Sequence, residues 1–147
     1  DWRVPTHDHF FKYSKTNRID RALYFVLEAR TSHTFPIKIV SYCTALECLF
    51  TTSQTELSHR ISERVATLTR GNRNAKLETY KLVKKAYDVR SKIVHGSILK
   101  ENNDDLREIS TQLDQLLRDF ISADYDVFSM VDEEINEYFL SKLFQTK

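Results

Sequence analysis

Apolar positions along the chain fall into successive blocks with the three-to-four-residue spacing of amphipathic helices, and no block alternates for long in the manner of a half-buried strand. After an aperiodic opening stretch, Asn17 is placed to cap a first helix over 18–32, with Leu23, Phe25, Val26, Leu27 and Ala29 on its inward side. Phe35 and Pro36 open a second helix that runs to residue 50 as an almost wholly apolar string, IKIVSYCTALECLF. Proline suits a first turn, where its missing N–H loses no partner. This second helix is expected to be the most buried, yet it carries one carboxylate, Glu47, among Ala45, Leu46, Cys48 and Leu49. An unpaired charge in such a place costs roughly several kcal/mol, so Glu47 requires a partner.

Ser53 and Glu56 have the spacing of a capping box and predict a third helix ending near residue 68. Its inward stripe is Leu57, Ile61, Val65 and Leu68, with His59, Arg60, Glu63 and Arg64 on the flanks. A turn over 71–74 leads into a fourth helix from about residue 75 to Gly96, the expected stop because glycine takes a left-handed conformation readily. Two adjoining stripes, Leu82, Ala86, Val89, Ile93 and Tyr80, Val83, Tyr87, Val94, give this helix a wide apolar arc, so it is expected to be central. Asn103 or Asp104 caps a fifth helix carrying Leu106, Ile109, Leu113, Leu116, Leu117 and Phe120. A break over 123–126 precedes a last helix over 130–144, with Ile135, Tyr138, Phe139, Leu140, Leu143 and Phe144. The pattern predicts an all-α bundle of five to six helices in one domain spanning 1–147.

Composition narrows this further. Two glycines and two prolines in 147 residues leave little for tight hairpins and favour helices joined by polar loops. The chain opens on Asp1 rather than Met, so a piece of a longer protein with a further domain is expected, and 1–17 is expected to be an arm pinned by Phe10, Phe11 and Tyr13. No run of about 18 apolar residues is long enough to span a membrane, and no signal peptide is visible. Cys43 and Cys48 are five apart on different helical faces and are expected to be buried free thiols of a reducing cytoplasm. His7 and His9 lack a third ligand, so neither a metal nor another cofactor is expected. Net charge is +1, but residues 60–100 hold 11 Lys/Arg against 3 Asp/Glu and residues 101–147 hold 4 against 12. The basic block is suited to a polyanion, RNA above all.

Within that block Arg90 and His95 stand five apart at a helix end. Two readings are open. In the plainer one Arg90 pairs with Glu47 and His95 sits at the negative helix terminus, where a cation is favoured. In the other they serve phosphodiester chemistry, for which one imidazole is too few, so a homodimer is required to supply both an acid and a base. Five helical residues rotate by about 140° net of full turns, so the two side chains meet only if the helix ends between them, as Gly96 suggests.

The strings ALECLF, ELSHRISERVATL and YDVRSKIVHG resemble the HEPN superfamily, in particular its ApeA-like branch, over roughly 18–96. The resemblance implies a HEPN-like helical fold, a homodimer and a metal-independent endoribonuclease, a toxin or phage-defence effector. It implies Arg90 and His95 as the catalytic pair, with Glu47, Tyr87 and Ser91 as supporting residues. Ser91 departs from the Asn, Asp or His that often follows the arginine. Lys84, Lys85 and Lys92 are expected at the RNA backbone. Arg90 would hold the scissile phosphate, His95 would act as general base or acid, and Glu47 would orient Arg90, bias the His95 tautomer or serve only structurally. The alternative is a non-catalytic RNA- or nucleotide-binding or dimerisation module; a metal hydrolase using His7, His9 or His59 is the outsider.

Overall fold

The computed structural model describes residues 17–145, and His7, His9, Phe10, Phe11 and Tyr13 of the expected arm lie outside them. Among the described residues there is no strand. Six α-helices follow in order: α1 Arg18–Thr31, α2 Phe35–Phe50, α3 Leu57–Leu68, α4 Arg73–Val94, α5 Asn103–Ala123 and α6 Asp132–Leu143, with a 3-10 turn at Asp126–Ser129 before α6. None is long and apolar enough to cross a membrane.

The centre of the bundle is α2. It buries Ile39, Tyr42, Cys43, Ala45, Leu46, Leu49 and Phe50, and α1, α4, α5 and α3 all pack on it. A helix apolar on all sides has to be covered on all sides. The central place expected of residues 80–96 therefore belongs to α2 instead. Helix α4 buries one side only, through Val83, Ala86, Tyr87 and Val89, and leaves Val94 61% exposed. At the end of α2, Phe50 meets Phe120, Phe128 and Phe139 at ring-centroid distances of 5.5, 5.4 and 6.1 Å, which ties α5, the 3-10 turn and α6 to one aromatic cluster.

Two arginines close the C-terminus of α2. Arg18 of α1 donates to Cys48 O at 3.1 Å and Thr51 O at 2.9 Å, and pairs with Asp132 of α6. Arg64 of α3 donates to Phe50 O at 2.6 Å, Thr52 Oγ1 at 3.2 Å and Asn136 Oδ1 at 2.6 Å. The last carbonyls of a helix lack intrahelical partners and sit at its negative end, so cations are favoured there. Arg64 was expected on a flank but is 7% exposed, its guanidinium 5.1 Å from the Phe139 ring centroid, and burial pulls its pKa down to about 10.

Other departures are local. In α1 the buried stripe is Ala22, Val26 and Ala29, while Leu23 and Leu27 lie one position round and are partly exposed. The capping box does not form. Glu56 occupies the cap position with φ +50 and no side-chain cap bond, and the Ser53 hydroxyl accepts from Arg60 instead. Asn72 caps Ala75 N–H at 3.0 Å, so α4 starts at Arg73. Asn102, one residue earlier than expected, caps Asp105 N–H at 2.9 Å. In α6 only Ile135 and Phe139 are buried, and Leu140, Leu143 and Phe144 are exposed.

Asp114 of α5 joins three helices. It accepts from Arg30 Nε at 2.8 Å, Tyr42 Oη at 2.9 Å and Arg118 Nη2 at 2.9 Å. Those contacts, that of Arg30 first, hold its carboxyl at about 2. A carboxyl depressed in the fold contributes stability above its unfolded value, and that contribution is lost as pH falls through the folded one. Asp114→Asn is expected to lower the urea unfolding free energy by about 1–3 kcal/mol at neutral pH. The gap between variant and parent should narrow as pH falls from about 4 to about 2.

Candidate functional site

Helix α4 ends as its glycine suggests. Ser97 N–H donates to Lys92 O at 2.7 Å and Gly96 N–H to Ile93 O at 3.1 Å, a paired closure that needs a left-handed residue, and Gly96 has φ +67. The chain beyond is tied back by an ion pair of Lys92 Nζ with Glu101 Oε1 at 2.9 Å. Glu101 Oε2 also accepts from Lys100 N–H at 3.1 Å, and these contacts with Lys92 lower its pKa.

Arg90 faces α2. Its Nη2 lies 3.2 Å from Glu47 Oε1, so the carboxylate that the sequence leaves without a partner has one. Tyr87, one turn earlier, donates from its hydroxyl to Glu47 Oε1 at 3.2 Å, with Cys43 O at 3.4 Å as a second acceptor. The Arg90 guanidinium carbon is 5.7 Å from the Tyr87 ring centroid. Burial raises the Glu47 carboxyl, while Arg90 and the Tyr87 hydrogen bond pull it back. Burial also raises the Tyr87 phenol and pushes the Cys43 and Cys48 thiols up to about 12 and about 11. Both cysteines are free, Cys43 buried and Cys48 half-buried.

One polar atom in this cluster is unaccounted for: Arg90 Nε is buried with no hydrogen-bond partner among the described residues. The guanidinium therefore retains unused donor capacity while its outer nitrogen is engaged by Glu47.

His95 is placed differently. Helix α4 runs unbroken through Val94 with His95 as its C-cap, so the helix ends between Arg90 and His95, as Gly96 suggests. It ends so late that the two side chains still diverge. The two side chains leave the helix about 140° apart, Arg90 toward α2 and His95 into solvent, where its ring has no partner among the described residues. Ser91 is exposed as well. Of the three lysines, Lys85 is exposed, Lys84 Nζ donates to Ser58 Oγ at 3.4 Å, and Lys92 is engaged by Glu101.

The structure thus gathers Glu47, Tyr87 and Arg90 and leaves His95 apart within one chain. Of the three roles open to Glu47, contact with Arg90 is present and contact with His95 is not. Among the described residues no three His, Cys, Asp or Glu side chains converge as metal ligands. Glu101 and the Cys43 carbonyl were missed from sequence. The i to i+9 step from Lys92 across a loop has no periodic signature, and a backbone oxygen has no sequence signal.

Glu47→Ala removes the acceptor of Tyr87 and the counter-charge of Arg90 together. It is expected to lower the unfolding free energy by about 2–4 kcal/mol in urea titrations. Glu47→Gln, which retains an acceptor oxygen, should cost less. No protein family, curated protein or solved structure matches the chain.

Proposed function

We propose that this domain is a metal-independent endoribonuclease of HEPN type, in which Arg90 and His95 from two copies of the chain form one cleft. The observation that supports this most is the Glu47–Arg90 ion pair at 3.2 Å, because it links the two strings, ALECLF and YDVRSKIVHG, that carry the resemblance. The exposed imidazole at the end of the same helix, without a partner among the described residues, adds to it. Separation of the two groups within a chain is the reason a second copy is needed. Val94 and Ile98 flank His95 and are 61% and 91% exposed, which gives that end of α4 an apolar surface for self-association.

The chemistry uses the substrate's own nucleophile. The RNA 2′-oxygen bonds to phosphorus while the bond from phosphorus to the 5′-oxygen breaks, leaving a 2′,3′-cyclic phosphate and a 5′-hydroxyl. One His95 takes the 2′-OH proton, and the imidazolium of the other copy gives one to the departing 5′-oxygen. Arg90 holds the phosphate and offsets charge growing on its oxygens, in a fork geometry that lysine does not reproduce. Glu47 holds the guanidinium in place, and an incoming phosphate competes with it for Nη2. A toxin or phage-defence effector in the cytoplasm, joined to a further domain, fits this activity.

A second reading is a non-catalytic RNA-binding or dimerisation module. What favours it is that Arg90 is already paired, which suffices as a structural role.

Purified domain incubated with RNA in EDTA is expected to give cyclic-phosphate ends, and Arg90→Ala or His95→Ala to abolish them by at least a hundredfold. Retained RNA binding without cleavage would select the second reading. Ile98→Cys is expected to form an intermolecular disulfide under mild oxidation, seen as a dimer on non-reducing gels. A strictly monomeric chain in sedimentation would remove the two-copy cleft.

A further inference from the structure

Beside the Arg90 cluster, a different face of α4 carries polar groups that the proposed chemistry does not use. Tyr80, Lys84, Ser91 and His95 follow one another at steps of four, seven and four, which confines them to an arc of about 60° over about 22 Å of helix. At its far end His59 of α3 stands beside Tyr80, with Nδ1 and Tyr80 Oη sharing a hydrogen bond at 3.1 Å and the rings edge to face at 6.3 Å. His59 Nε2 lies 3.3 Å from Glu63 Oε1. The neutral imidazole with its proton on Nε2 satisfies both contacts, donating to Glu63 and accepting from Tyr80. This fixes the Tyr80 ring while leaving it partly exposed.

The charge along this face is set by which lysines are free. Lys81 pairs with Glu78 and Lys92 with Glu101, whereas Lys84 and Lys85 form no ion pair among the described residues. Asp88 is exposed between them and His95, so the positive charge is concentrated toward the Tyr80 end. A fixed aromatic ring next to a lysine whose charge no carboxylate among the described residues neutralises suits a base and its phosphate. Stacking takes any base, and the ammonium replaces a counterion.

We propose that the face of α4 from Tyr80 through Lys84 to His95 is a track for single-stranded RNA, with a base on the Tyr80 ring and a phosphate on Lys84. It rests on the ribonuclease reading for its direction, since the track leads to His95, but binding along it is separately measurable. A duplex hides its bases and offers nothing to stack on Tyr80.

The test is fluorescence anisotropy with a labelled 2′-O-methyl oligoribonucleotide, which lacks the attacking hydroxyl, and an A-form duplex of the same sequence. Tyr80→Ala is expected to weaken single-strand binding by roughly fivefold to a hundredfold. Tyr80→Phe, which keeps the ring, should stay within about twofold. Lys84→Ala should reduce the slope of log affinity against log salt by about 0.7, and Lys142→Ala on α6 should change neither. The proposal is overturned if Tyr80→Ala and Lys84→Ala bind as the parent does, or if the duplex loses as much as the single strand. If the track binds as expected while unmodified RNA is never cut, only the ribonuclease reading falls. If RNA is cut but both variants bind and cut as the parent does, only the track falls. Circular dichroism melts establish that each variant is folded.

Discussion

Helix α2 makes a demand that the rest of the bundle answers. It is almost wholly apolar and packed on by four helices, yet it carries a carboxylate, a phenol and a set of terminal carbonyls that water cannot reach freely. Leaving any of these without a partner would cost on the order of 1–3 kcal/mol apiece. Each is answered from a different helix: Glu47 by Arg90 of α4, Tyr42 by Asp114 of α5, and the final carbonyls by Arg18 of α1 and Arg64 of α3. Apolar packing alone would let these helices slide by a turn against α2. The polar ties fix their register, because a guanidinium shifted by 5 Å or so no longer reaches its oxygen.

The candidate site follows from that arrangement rather than from a cavity. Arg90 is held because α2 needs it, and the strength of that tie comes from the partial burial of both charges. Nε is buried without a partner among the described residues, so the guanidinium is anchored at one edge and unsaturated at another. Such a group is stiff and still able to bind. His95 meets the opposite condition. Its backbone N–H closes the helix on Ser91 O at 3.1 Å, and its exposed ring has no partner among the described residues that would fix its tautomer or direction.

How much of this was legible in the sequence depends on what kind of constraint set each feature. The all-helical fold, the bounds of α2 and the stop at Gly96 follow from period, proline and glycine, which act locally. That Glu47 would need a cation was also legible, since a lone carboxylate in an apolar string has few other fates. Arg64 was not, because an amphipathic pattern assigns every arginine to a flank and has no means of marking a distant helix end that lacks donors. The same limit explains α4. Its double stripe reads as central, but Val94 is largely exposed, so part of that arc faces water. The capping box failed for a related reason: Ser53 was claimed by Arg60, a competitor that a four-residue motif does not include.

The exposed end of α4 bears on how the two halves of the proposed centre are to be joined. Within a chain the rotation between Arg90 and His95 is fixed by an unbroken helix, and no rotamer change closes about 140°. Bringing them together by unwinding the last turn would sacrifice the paired closure at Gly96 and Ser97 and the Lys92–Glu101 tie, with no gain in burial. A second copy avoids that cost. It would leave each helix intact and cover the exposed Val94 and Ile98, and a twofold axis near His95 would bring two imidazoles into one cleft, with each arginine held on its own Glu47 until phosphate competes for it. In the proposed dimer each chain would present half of the centre, and the apolar residues beside His95 would be the surface that brings the two halves together.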